Sequence, residues 1–222
     1  MAGIPITHTA YSDGIEFSKA VMFAKGWSYA ADPPTPPALG TLFNTGLIME
    51  VKINPTGFDS IEAGGMPFEG PLVSRTKGGT IEISGIMAGT TLENLAFALG
   101  SDLTADGMGA SSPYHIDLSV FGRYATIQLV VLPSETTNEE IANSDTAPID
   151  NCTVFSFRKV KIDPSAAEFA VKHELERIQL PFKGTTLKLM EDDTDPQYGM
   201  SGLIYTGVSM DVTIGSTGYS PA

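Results

Sequence analysis

Cysteine is almost missing from this chain. Cys152 is the only one in 222 residues, which excludes an internal disulfide framework and any cysteine-based zinc site. Its strand-like flanks predict a small buried residue. Histidine is nearly as scarce: His8, His115 and His173 lie far apart without metal-ligand spacing, so each reads as an ordinary surface or core residue. Positive charge is also short, with 13 Lys and Arg against 26 Asp and Glu and a formal charge of −13. Phosphate binding needs positive patches, so a chain this acidic is not expected to grip nucleic acid. It can still lie beside DNA without holding it. The plainest use of the acidity is solubility.

Long apolar runs are missing too. No stretch reaches the roughly 20 residues that span a bilayer. The start, M-A-G-I-P-I-T-H-T, lacks a basic segment followed by a long apolar one, so no secretory signal is expected. Catalytic signatures are absent as well: there is no G-x-S-x-G, no phosphate loop and no dinucleotide fingerprint. Gly64-Gly65 and Gly78-Gly79 lack the lysine and helix start of a phosphate cradle and read as turns. Glu139 and Glu140 are adjacent loop carboxylates with no defined separation across a bond. The acidic turn Asp192, Asp193, Asp195 lacks the glycine and the bidentate glutamate of a calcium loop and reads as solvated. The expectation is a protein with no cofactor, no metal and no enzymatic activity.

What the chain does have is enough apolar sequence for a core, 42% of residues, patterned mainly as strands. Its best-signalled stretch is Thr80 to Gly100. Ile81, Ile83 and Ile86 predict a half-buried strand, and Gly89 breaks it. Thr90 with Glu93 three residues on has capping-box spacing. A helix is predicted over about 91–99, with Leu92, Leu95, Ala96 and Leu99 as its apolar packing face and Gly100 as its left-handed terminator. A helix this short is marginal alone, so it must pack on a sheet.

Further strands are predicted at Leu47–Ile53, Phe58–Glu62, Ile116–Phe121, Tyr124–Leu132, Thr153–Ile162, His173–Phe182, Thr185–Met190 and within Ser201–Ile214. The pair Gly122-Arg123 reads as a hairpin turn. A change of parity between Phe157 and Val160 predicts a bulge, with Arg158, Lys159 and Lys161 mostly outside. Residues 66–79 and 133–150 read as long loops. Residues 1–46, with Pro33, Pro34, Pro36 and Pro37 and scattered aromatics, read as an extended N-terminal arm ahead of a domain over 47–222. The fold class is therefore mainly β: an antiparallel sandwich or barrel with one flanking helix.

The segment T-T-L-E-N-L-A-F-A-L-G resembles the helix of the major tail tube proteins of long-tailed bacteriophages. The Glu-bearing strand 47–53, the late strand F-S-F-R-K-V-K-I and the strand K-H-E-L-E-R-I-Q-L-P-F-K are similar to that family in order and spacing. The likeness covers roughly residues 47–190. It implies a structural virion protein, assembled in the host cytoplasm, whose copies form rings of six stacked into a hollow tail tube. It further implies partners: other copies, the tape measure protein in the lumen, tail terminator and distal tail or baseplate proteins, and DNA that passes without sticking. No membrane is involved. Carboxylates on sheet faces, Glu50, Glu82, Glu174 and Glu176, are the candidate lumen groups. Open sheet edges fit such assembly, because they are sites for pairing with another chain. The competing reading is a soluble β-sandwich that binds a glycan or a protein, with Trp27, Tyr114 and Tyr198 as aromatic platforms. A hydrolase ranks third.

Overall fold

The computed structural model describes residues 19–30, 32–56, 59–64, 71–77, 79–87, 91–101, 103–105, 114–117, 119–167 and 179–212. The protein is mainly β. Its strands are β1 (Ala20–Gly26), β2 (Phe43–Thr56), β3 (Asp59–Gly64), β4 (Pro71–Lys77), β5 (Thr80–Met87), β6 (Leu103–Ala105), β7 (Tyr114–Ile116), β8 (Tyr124–Val131), β9 (Ile149–Ile162), β10 (Leu180–Thr186) and β11 (Leu203–Met210). Two short helices, α1 (Leu92–Leu99) and α2 (Asn138–Ala142), complete the set.

The main sheet has seven strands in the order β10-β5-β2-β1-β8-β9-β11, all antiparallel. It curls without closing along its full length. β10 reaches round to pair with the last residues of β9, Gly184 to Thr186 against Ile162 to Val160. The concave side holds one apolar cluster, including Met22, Ile83, Ile127, Phe157 and Phe182. The opposite side of β1, β8, β9 and β11 carries a second, with Phe23, Val130, Val154, Val208 and Met210. Both faces of β1 and β8 are thus covered, which is why A-V-M-F-A-K-G and Y-A-T-I-Q-L-V-V read as continuous runs rather than alternations.

This corrects the N-terminal arm for the residues described. β1 lies in the middle of the sheet between β2 and β8, with Met22, Phe23 and Ala24 fully buried. The long loop at 66–79 is corrected as well: it contains β4, which pairs with β3. Residues 117 and 119–123 form no strand. The Gly122 and Arg123 amides instead donate to Leu99 and Gly100 carbonyls, closing the end of α1. β10 runs through to Thr186, so Thr185–Met190 is not a separate strand. Glu174 and Glu176 lie outside the described residues.

The α1 cap is displaced by one residue. Thr91, not Thr90, is the N-cap, its side chain accepting from the Asn94 amide at 3.2 Å. At the far end Gly100 sits at φ +62°, with Gly100 N–H on Phe97 O and Ser101 N–H on Ala96 O, both at 2.9 Å. A side chain at Gly100 would meet Ile162 Cβ at 2.9 Å. The packing face differs from the expected stripe. Asn94, Ala96, Phe97, Ala98 and Leu99 are buried, Leu95 is half-buried and Leu92 is exposed. Phe97 packs on Phe182 of β10 with centroids 5.4 Å apart, and Asn94 donates to Thr45 O at 2.8 Å, so two residues outside the expected stripe, one of them polar, anchor the helix. The capping box occurs elsewhere. In the 133–150 segment, expected to be loop, Thr137 and Glu140 cap α2 reciprocally.

Candidate assembly surface

Three features of this fold bear on function: an outward sheet face, a projecting ribbon and a cross-braced edge. Glu50 and Glu82, the described members of the expected carboxylate set, lie on the outward face of β2, β5 and β10. Register puts Lys52, Ser84 and Lys183 in one row and Asn54, Glu82 and Thr185 in the next, while Val51, Ile53, Ile83 and Phe182 alternate inward. Each carboxylate has a lysine beside it. Glu50 pairs with Lys52 at 2.7 Å and Glu82 with Lys183 at 3.5 Å. This face is balanced rather than acidic, and such exposed pairs contribute little to stability.

β3 and β4 carry the β2–β5 pair onward as a separate two-stranded sheet, Asp59 opposite Lys77 through to Gly64 opposite Pro71. No third strand joins this ribbon among the described residues. A lone two-stranded ribbon is at best marginal in water, so it is a structure that wants a neighbour. β11 is also an edge: one side pairs with β9, and no described strand lies on the other. Ile204 on β11 and Met190, Tyr198 and Met200 in the preceding loop are exposed apolar side chains near this edge.

The braced edge explains where the expected bulge leads. The β8–β9 register slips between Ala125↔Val160 and Ile127↔Phe157, so Arg158 and Lys159 together face Thr126. On its other side, β9 changes partner at the same point. β11 pairs with Ser156 and earlier residues, β10 with Val160 and later ones. β10 and β11 therefore run along one edge of β9 as one interrupted line, and residues 187–202 bulge out between them. The bulged side chains hold that excursion. Arg158 Nε donates to Asp195 Oδ2 at 2.6 Å and its Nη1 to Pro37 O at 2.8 Å, while Lys159 Nζ pairs with Glu191.

Both cations are buried, against the expectation that they face outward; Lys161 is exposed as expected. The acidic turn is likewise only partly solvated, since Glu191 and Asp195 reach inward. Burial works to raise the Glu191 carboxyl, but bonds from Lys159 and the Met190 amide outweigh it and hold the group below its usual range. Asp192 is lowered mainly by the Thr194 hydroxyl, which donates at 2.6 Å.

Aromatics complete the brace. Trp27 is buried, donates to Arg158 O at 3.0 Å and meets Tyr124 edge-on. Lys159 lies over Tyr124 at 4.6 Å, and Arg123 over Tyr29 at 4.4 Å. Trp27 therefore cannot be a surface platform for a glycan. Tyr198 is exposed, and the Tyr114 side chain lies outside what is described. The bulge is legible in the sequence, whereas the brace is not. The available signal was the run R-K facing an acidic turn some 35 residues later, but nothing local fixes such a pairing.

Among the described residues no cluster of three His, Cys, Asp or Glu could hold a metal ion, and no helix is long and apolar enough to cross a membrane. Cys152 is buried, and burial, helped by Asp150, pushes its thiol up to about 11. Neither protein-family models nor characterised protein sequences give a match to this chain.

Proposed function

We propose that this protein is a structural subunit that associates with copies of itself into the hollow tail tube of a long-tailed bacteriophage. The observation that carries the reading is the β3–β4 ribbon, extended beyond the sheet with both outer edges unaccompanied among the described residues. Backbone donors and acceptors on such edges are met by water or by another chain, and ring closure uses them where a monomer leaves them open. The β11 edge and its apolar neighbours offer a second contact of the same kind. The sequence resemblance supplies the identity of the assembly. Within it, the ribbon and β11 would meet neighbouring copies, and the tape measure protein and then DNA would occupy the lumen.

Light scattering coupled to size exclusion, followed by negative-stain electron microscopy of the purified protein, tests this. Rings or tubes of uniform diameter are expected. A monomer that forms neither at any concentration up to the millimolar range would sink the proposal. Replacing residues 57–79 with Asn-Gly, which joins β2 to β5 between the register partners Thr56 and Thr80, should abolish assembly while leaving the main sheet and its Trp27 fluorescence intact.

A further inference from the structure

A groove of about 940 Å³ opens at the N-terminal end of β1. Its walls are largely apolar, among them Val21, Ile48, Val51, Val131, Leu132 and Ile141, contributed by β1, β2, β8 and α2. A groove of this size is large enough to seat several side chains. Lys19 stands on its rim: its carbonyl accepts from the Leu132 amide at 3.0 Å, and its ammonium donates to Thr136 O. The chain therefore enters the described fold at the groove itself.

Eighteen residues precede Lys19, and the nearest are G-I-E-F-S, with Ile15 and Phe17 two apart and Glu16 between them. That alternation suits an extended segment with one apolar side. Five extended residues cover about 17 Å. Ile15 and Phe17 are thus within reach of the groove without any long loop to close. A tethered segment this short meets its groove at an effective concentration on the order of millimolar, which favours the chain's own segment over one from another copy.

We propose that this groove is the seat of the chain's own N-terminal segment, anchored by Ile15 and Phe17. The inference stands on the groove and on the point of entry, and does not depend on the tail-tube reading.

Cysteine trapping in the full-length chain tests it. Glu16→Cys, which leaves both anchors in place, is paired with Asn138→Cys, which replaces an exposed residue on the groove wall. The control pairs Glu16→Cys with Lys161→Cys, exposed on β9 and about eight residues, or roughly 26 Å, up the strands from the groove. Native Cys152 is buried and stays out of the reaction. Under mild oxidation the Asn138 pair should form an intrachain disulfide at least about tenfold faster than the control. A dimer cross-link, equal rates or no bond would overturn the proposal. As a second measurement, a chain lacking residues 1–18 should bind a hydrophobic dye several-fold more strongly than the full chain. Equal dye binding by two folded proteins counts against it.

Discussion

Replacing Asp195 with Ala tests the brace at its most buried pair. The Arg158 and Asp195 side chains are 6% and 8% exposed, so solvent screens the pair little. In the variant the Arg158 guanidinium stays inside with Pro37 O as its remaining acceptor among the described residues. The Gln197 amide, which donates to Asp195 Oδ1 at 2.8 Å, also loses its acceptor. Leaving one partner of a buried pair uncompensated costs about 3–5 kcal/mol. For a chain of this size each kcal/mol moves the melting midpoint by roughly 2–4 °C, so a fall of about 6–20 °C is expected. Urea unfolding followed by Trp27 fluorescence is the assay. The only tryptophan of the chain donates to the carbonyl of Arg158, so it reports on the brace directly. The double variant Arg158→Met, Asp195→Leu removes both charges and should recover most of the loss, because an apolar pair of similar volume is often as stable as a buried ion pair. A cost below about 1 kcal/mol for Asp195→Ala would show that the pair behaves like a surface one. A double variant less stable than Asp195→Ala would refute the idea that stranded charge is the cause.

Four further outcomes are expected. Phe97→Ala should cost about 3–5 kcal/mol, whereas Leu92→Asp on the exposed side of α1 should stay within about 0.5; reversed costs in denaturant titrations would put the helix face back where the sequence stripe had it. Gly100→Ala should cost about 2–5 kcal/mol, combining left-handed strain with overpacking against Ile162. Gly46→Ala, at φ +81° in open space, should show only the strain, about 1–2 kcal/mol by the same measure. Cys152 should resist alkylation at pH 8 in the folded protein and react on unfolding; rapid labelling under native conditions would contradict its burial. The Glu191 carboxyl is held below its usual range when folded, so its contribution is complete above about pH 5 and is lost as pH falls through the folded value. Lys159→Met should flatten the acid limb of a stability-against-pH curve over that window, and an unchanged limb would exclude the pair as its source.

The fold class, the helix and the bulge were legible because each rests on local pattern. Strand alternation, a glycine at a helix end and a parity slip at Phe157–Val160 are all short-range statements. The errors share a different origin. β1 was read into an arm because a strand buried on both faces shows no alternation, and the prolines that follow it drew attention to the segment as a whole. The stripe on α1 missed Phe97 and included Leu92 because eight residues cover barely two turns, and the choice of face was made by Phe182 and the Thr45 carbonyl, far away in sequence. The capping signature T-x-x-E occurs at both Thr90 and Thr137, and sequence alone gives no reason to prefer the second. Arg158 and Lys159 were placed outside because charged side chains usually are; their partners lie across a non-local contact.

The distribution of charge changes what the acidity can do. The acidic turn at 191–195 is partly consumed inside the fold by Arg158 and Lys159, and Glu50 and Glu82 are offset by Lys52 and Lys183. Glu50, Glu82, Glu191 and Asp195 are thus each offset by a cation, which leaves Asp192 and Asp193 of the turn without one in an ion pair among the described residues. The 133–150 segment carries more, with Glu135, Glu139, Glu140, Asp145 and Asp150 and no lysine or arginine of its own, against the one neighbouring cation Lys19, which donates to Thr136 O. All five are exposed, around α2 and the turn that leads into β9. Among the described residues, carboxylates able to repel a polyanion within about 10 Å, the reach of a charge at 0.1 M salt, therefore gather around α2 rather than on the outward face of β2, β5 and β10. Within the proposed tube, this points the α2 side of the subunit toward the path of DNA, or else leaves the channel wall close to neutral and assigns the acidity to solubility.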